Sequence, residues 1–346
     1  MFKSIYIKKP FNFLLVIFFT ISFFNACNLF SRDEIPTVTD LPDFTPTPAP
    51  TLAPDRAVLA ASAGISQAEI ANAQTFIASL AAEYGLEFET RDTIISNEIT
   101  PDVKIIIFLE QPDNLGSLAA SAPDTQFVAI SSQEWNPPAN GNVIRINNDH
   151  AAFLAGYLGA MLAPNFRAGA LQVSEAVTFN QAFNHGVSYY CGICAAQVYP
   201  LNTYPVTSQQ PAGSLPVNWQ TAFNEINTNK VNVLFLPEEA ITPEFGTFLA
   251  GQDVAIISNA SPVEEIQSKW AATIKADGLT ALREMWPDLI NGIGGKIINA
   301  GLRLTDLNYV NVTNSLVGLS QGKMMQVDEL IQLLRDDQIY PYAVME

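Results

Sequence analysis

The stretch Asn142-Val-Ile-Arg-Ile-Asn-Asn-Asp-His-Ala-Ala-Phe-Leu-Ala-Gly-Tyr-Leu-Gly-Ala-Met-Leu-Ala-Pro-Asn-Phe-Arg-Ala-Gly-Ala-Leu-Gln-Val173 decides the fold class. Val143 to Ile146 is a β-branched run, and Asn148 or Asp149 opens a helix after it. Phe153, Leu154, Tyr157, Met161 and Leu162 recur at three- and four-residue steps, which gives that helix an apolar face. Pro164 stops it, and a second apolar run, Ala168 to Val173, follows. Strand, helix and strand in this order form the unit of a parallel sheet with crossover helices. Ala155, Gly156, Gly159 and Ala160 are small enough to let a second helix approach closely.

Alternation continues on both sides of this stretch. Upstream, Arg56–Ala61, Leu86–Ile95, Val103–Leu109, Gln126–Ser131 and Val143–Ile146 read as strands. Ser66 with Glu69 forms a capping-box pattern before a helix carrying Ile70, Ala73, Ile77, Leu80 and Tyr84. Downstream, Ala168–Val173, Ala195–Tyr199, Val231–Leu236, Val254–Ser258 and Ala271–Ile274 read as strands, and 200–216 as a long polar loop. Helices are expected around Phe179–Tyr190, from Trp219, over Asp277–Ile290 and near Val327–Leu334, with a last strand at Tyr309–Val312. The expected architecture is α/β, with two doubly wound lobes.

The first 27 residues bear on compartment. Lys3, Lys8 and Lys9 precede an apolar stretch, Phe11 to Phe24, of signal-peptide length and short for a membrane span. Ala26-Cys27 then resembles a bacterial lipoprotein box, with Cys27 lipidated; an uncleaved N-terminal anchor is the alternative. Thr-Pro and Ala-Pro repeats up to Pro54 favour an extended, semi-rigid spacer. Residues 1–26 are therefore expected to be a signal peptide and 27–54 a tether, placing the remainder outside the cytoplasmic membrane. A formal net charge of −17 argues against nucleic acid, whose phosphates need a basic stripe.

Catalytic signals are few. His150 and His185 lie on separate helices, outside any metal-spaced cluster, and no Gly-x-Ser-x-Gly elbow occurs. Asn291-Gly-Ile-Gly-Gly-Lys296 follows a helix and lacks the hydroxyl residue of a phosphate loop, so it reads as a helix stop. Cys191 and Cys194 fall at the end of a helix, where the dipole disfavours a thiolate. A local disulfide is the favoured reading, with a redox pair and a buried dithiol as alternatives. No enzymatic activity and no cofactor are expected.

Ligands of open α/β sheets collect at the carboxyl ends of strands. That rule selects Gly64–Ser66, Gln111, Ser131–Trp135 with Ser132 between them, Ser174 and Glu175, Glu238 and Glu239, and Ser258–Asn259. Trp135 is the large aromatic of these first-lobe loops, suited either to stacking on a ligand ring or to packing a hinge. Glu238 and Glu239 fit a solvated loop face.

With these residues placed, the chain from about 55 to 346 resembles the basic membrane protein family, the PnrA-like nucleoside-binding lipoproteins of ABC importers. Ala152-Phe-Leu-Ala-Gly156 matches a family helix motif. Phe179-Asn-Gln-Ala-Phe-Asn-His-Gly186 is similar to its F-x-x-G-F-x-x-G helix, with Ala182 at the first glycine. Ala272-Thr-Ile-Lys-Ala-Asp277 stands where the family has a strand ending in a ligand-contacting lysine, and 328–342 resembles its closing segment. The resemblance implies the type I periplasmic-binding-protein fold, two Rossmann-like lobes joined by three crossovers. Lobe 1 would comprise 55–148 plus about 276–298, and lobe 2 149–275 plus about 299–346. It also implies a small polar, nucleoside-like ligand bound between the lobes of a monomer, a membrane permease as partner, and Lys275 as a ligand contact. Asn259 stands where the family commonly has aspartate, and His150 where it has glutamate. A tethered regulatory or sensory protein on the same scaffold, and an extracytoplasmic thiol oxidoreductase, are the other function classes.

Overall fold

A computed structural model describes residues 53–62 and 64–342. The leader, Cys27 and nearly all of the spacer lie outside the described residues. In chain order the elements begin with β1 (Arg56–Ala60), α1 (Gln67–Glu83), β2 (Glu87–Arg91), β3 (Val103–Phe108), α2 (Leu115–Ser121), β4 (Gln126–Ser131) and β5 (Gly141–Arg145). There follow α3 (Asn148–Leu162), β6 (Ala168–Val173), α4 (Val177–Cys191), β7 (Cys194–Ala195), β8 (Thr203–Tyr204), β9 (Val206–Gln210), α5 (Pro216–Asn227) and β10 (Val233–Leu236). The chain continues through α6 (Pro243–Ala250), β11 (Ala255–Ser258), β12 (Trp270–Asp277), α7 (Gly278–Ile290), β13 (Lys296–Asn299) and β14 (Gly301–Thr305). It closes with β15 (Val310–Val312), β16 (Ser315–Val317) and α8 (Gln321–Arg335).

The strands form two six-stranded sheets, β13-β5-β4-β3-β1-β2 and β14-β12-β11-β10-β6-β9. All pairings in the first are parallel; in the second only β12–β14 is antiparallel. Central strands are apolar on both faces because helices cover both. In lobe 1, Leu59, Ile105, Ile107 and Val128 pack with Ile77 and Leu80 of α1 and with Leu282 and Trp286 of α7. The alternate residues Val58, Ile106, Phe127 and Ala129 pack with Leu115 and Leu118 of α2 on the other face. In lobe 2, α3, α4 and α8 cover one face, and α5 and α6 the other.

The chain crosses between the sheets three times: from β5 to α3, from β12 to α7, and from β13 to β14. α7 follows a strand of the second sheet yet contributes its apolar face to the first lobe. Its N-cap is Asp277, whose carboxylate accepts the Thr280 amide at 3.1 Å, so the second crossover and the helix start coincide. Ser66 caps α1 by accepting the Glu69 amide, and Asn147 caps α3 by accepting the amides of Asp149 and His150.

The sequence reading lacks α6, β13 and β14 and departs from the structure at several strands. The segment 200–216 contains β9, the parallel neighbour of β6, rather than loop alone. Its residues Val-Thr-Ser-Gln-Gln occupy a sheet edge, so they need no apolar run. The strand expected at Ala195–Tyr199 shrinks to the two residues of β7, which pair with β8 apart from both main sheets. Leu86–Ile95 keeps a strand only over Glu87–Arg91, again at an edge. Asn291–Lys296 is a helix stop leading into β13, with Gly292 and Gly295 at φ of 70° and 76°.

Candidate functional site

A cavity of about 470 Å³ lies where the two lobes meet at the crossovers. Lobe 1 contributes the first turns of α1, including Ser66, Glu69 and Asn72, and Leu109, Ile130 and Ile146 at the carboxyl ends of β3, β4 and β5. Lobe 2 contributes Ser261, Lys275 and Asp277 from the β11–β12 region, and Arg303, Thr305 and Asp306 from β14 and its end. The lining thus combines apolar residues with polar groups from both lobes. The size falls in the range that holds a small organic ligand.

Lys275 lies on β12 directly opposite Arg303 of β14, and both side chains line the cavity. Neither makes a hydrogen bond or ion pair to any described residue. Most other cations are engaged: Arg56 pairs with Glu89 and Asp102, Lys104 with Asp55, Lys296 with Asp288 and Arg335 with Glu284. The acidic members of the lining have local duties. Asp277 caps α7, and Asp306 accepts the Thr305 hydroxyl at 3.1 Å.

A second cavity of about 480 Å³ opens on lobe 1 alone, beyond the ends of β1, β2 and β3. Ser62, Glu110, Gln111, Asn114 and Gln133 line it, and the Ser62 hydroxyl donates to Glu110 at 2.7 Å. Gln111 Oε1 is buried without a hydrogen-bond partner among the described residues.

The sequence-selected residues therefore separate. Lys275 lines the interlobe cavity and Gln111 the lobe-1 cavity. Asn259, half-buried after β11, stands two residues before the cavity-lining Ser261 but does not itself line it. Ser132 is exposed in the loop after β4, outside both cavities. Trp135 turns away from the cleft: it packs on the Val58–Phe127 side of the lobe-1 core, so tightly that a Cβ on Gly141 would meet its ring at 2.5 Å. It lines neither cavity, and it packs against the lobe-1 core rather than at a hinge. His150 is only 2% exposed, and its Nε2 faces Asp337 at 3.8 Å, behind the first crossover rather than in the cavity. Burial pushes its imidazole below the usual value, against the opposing pull of Asp337 and Asp149.

Sequence reasoning missed Arg303, Asn72 and Asp306. Arg303 enters the cavity because β14 turns back antiparallel on β12, a pairing that no local pattern in Gly301–Thr305 announces. Asn72 was reachable, since it follows the Ser66 cap on the helix face beside Glu69.

Cys191 and Cys194 form a disulfide at the carboxyl end of α4. The loop that follows is held by the Arg167 guanidinium, which donates to the carbonyls of Val198 and Tyr199 at 3.0 and 2.9 Å. Arg167 immediately precedes β6, so this region lies at the amino edge of the lobe-2 sheet, away from the carboxyl ends that face the cavity. Among the described residues no helix is long and apolar enough to cross a membrane, and no cluster of side chains has the makings of a metal site.

No protein-family model matches the chain, and no curated protein matches its sequence. Solved structures do match. An ABC transporter solute-binding protein of Conexibacter woesei DSM 14684 superposes with a TM-score of 0.56 at 16% identity, over 83% of this chain and 98% of that one. A transcriptional activator of the comK gene from Bacillus halodurans gives 0.55 at 10% identity, over 83% and 100%. An ABC transporter solute-binding protein of Aeropyrum pernix K1 gives 0.50 at 16% identity, over 82% and 92%. At such identities the likeness concerns the fold, and the chain has the two-lobed type I periplasmic-binding-protein fold.

Proposed function

We propose that the protein is an extracytoplasmic solute-binding lipoprotein that captures a small polar ligand, nucleoside-like in shape, between its lobes and presents it to an ABC permease. The observation that carries this reading is the cavity at the three crossovers, where Lys275 and Arg303 of one lobe face Ser66, Glu69 and Asn72 of the other. A site split between lobes binds its ligand with groups from both, so binding favours one relative placement of the lobes. Two structural neighbours are named as solute-binding proteins of ABC transporters, which supports the class. Lipid attachment at Cys27 and membership of the basic membrane protein family rest on the sequence motifs, as does the preference for a nucleoside.

A regulatory role on the same scaffold is the second reading. It is favoured by the comK activator neighbour and by the placement of Asn259 and His150 outside the cavity lining. Thermal unfolding of the full-length protein in detergent, with nucleosides, sugars and small organic acids in turn, tests the capture reading. A ligand that binds the folded state raises the transition by mass action, about 2.7 kcal/mol at a hundredfold excess over Kd. Silence across all three classes would count against solute capture and favour the regulatory alternative.

A further inference from the structure

We propose that the ligand of the interlobe cavity carries one oxyanion group, a carboxylate or a phosphate, held between Lys275 and Arg303. The inference rests on the cavity being a ligand site and adds the charge of what it takes.

Lys275 and Arg303 are register partners in the antiparallel pair of β12 and β14. Opposed residues of such a pair project from the same face with their side chains in reach of each other, and like charges placed so destabilise the pair. Both line the same cavity, Lys275 half-buried and Arg303 exposed at the rim. The chain has 34 acidic residues against 17 lysines and arginines, so carboxylates to neutralise such a pair are plentiful. None of the described ones does so. Glu69, Asp277 and Asp306 share the lining, yet none forms an ion pair with either cation.

An oxyanion between the two would remove the repulsion and make charge-assisted hydrogen bonds. Arginine offers a planar fork that fits a carboxylate or phosphate with two parallel bonds, and lysine up to three donors. The acidic groups on the rim disfavour further negative charge and suit hydroxyl donors on the rest of the molecule. One oxyanion on an otherwise neutral, hydroxylated body therefore fits this cavity.

The experiment is calorimetric titration of the full-length protein in detergent with two matched pairs: adenosine with adenosine 5′-monophosphate, and glucose with glucuronate. In one arm the anionic member should bind at least about tenfold tighter than its neutral partner, and the arm identifies phosphate or carboxylate. Rising salt should weaken that preference. Arg303→Gln should reduce the ratio to near one, while its unliganded melting temperature stays at or above that of wild type. A neutral member that binds as tightly as its anion overturns the oxyanion and leaves the cavity reading standing. No binding in either arm overturns both for these ligand classes. A marked drop in the unliganded melting temperature of Arg303→Gln would make Arg303 a structural group and also overturn the proposal.

Discussion

Gly156 meets the backbone of Phe183 so closely that a Cβ at position 156 would lie 1.9 Å from the Phe183 carbonyl oxygen. Gly186 stands in the same relation to Phe153, at 1.9 Å from its carbonyl oxygen. The two helices α3 and α4 thus share a reciprocal contact, each lending a glycine to the other's phenylalanine backbone. Both phenylalanines are buried in the lobe-2 core. Here backbone, not a flexible side chain, blocks the space.

Gly156→Ala and Gly186→Ala should therefore force α3 and α4 apart. Overpacking a tight core costs about 1–3 kcal/mol, and a contact with rigid backbone belongs at the upper end. Gly159→Ala is the control, because its Cβ would meet Ala168 at an ordinary 3.5 Å. Urea unfolding of the three variants should show large losses for the first two and little change for the third.

That contact also shows what sequence alone can reveal. The small residues of the 142–173 stretch signalled close helix packing, and the run Val-Lys-Ile-Ile-Ile-Phe signalled the buried strand β3. The cap at Ser66 marked where α1 begins, because a side-chain oxygen beside unpaired amides is a local feature. Edge strands such as β9 were hidden, since a strand with one open side keeps polar residues. The cavity was half legible. Lys275 was selected by the resemblance of Ala272–Asp277 to a family motif, whereas Arg303 became a neighbour only through the long-range pairing of β14 with β12. Trp135 fitted a ligand loop by position, but burial against the lobe-1 core draws its ring inward.

Removing the disulfide should be mild. Cys191 and Cys194 enclose a very short loop, so the chain-entropy gain lost in a double Cys→Ser variant is at most about 2 kcal/mol. The pair lies near the amino edge of the lobe-2 sheet and outside the interlobe cavity lining, so ligand affinity should not change. Equilibrium unfolding and calorimetry check the two halves separately; thiol-disulfide activity that vanishes in the variant would contradict the structural role.

Stability should fall on mild acidification through His150. Burial lowers its imidazole below the ordinary 6.5 despite Asp337 and Asp149 nearby, with Arg145 adding to the lowering. Below about pH 6.5 the unfolded chain takes up a proton that the folded one refuses, so folding loses free energy as pH drops from there toward the folded-state value. One proton gives a slope of at most about 1.4 kcal/mol per pH unit. Unfolding free energies between about pH 7.5 and 5.5 should show this decline in wild type and a flatter profile in His150→Gln. Parallel profiles would remove His150 as the cause.

The ion pair of Arg335 with Glu284 joins α8, packed on lobe 2, to α7, packed on lobe 1. It spans the crossovers, with both side chains partly exposed, so its direct stabilisation is modest, about 0.2–1 kcal/mol. Glu284→Gln should leave the melting temperature nearly unchanged while altering how readily the lobes reorient. Small-angle scattering of the variant should show a broader range of dimensions than wild type, and identical profiles would assign the pair no hinge role.

The most direct check on ligand capture between the lobes is calorimetric titration of wild type and Lys275→Ala against a panel of nucleosides and their monophosphates. Lys275 lines the cavity without a side-chain partner among the described residues, so its removal should leave ligand oxygens unpaired and cost roughly 1.5–3 kcal/mol. The account predicts an affinity loss of about ten- to hundredfold with an essentially unchanged melting temperature. Unchanged affinity together with a lowered melting temperature would make Lys275 a structural residue of the hinge and contradict a ligand site in this cavity.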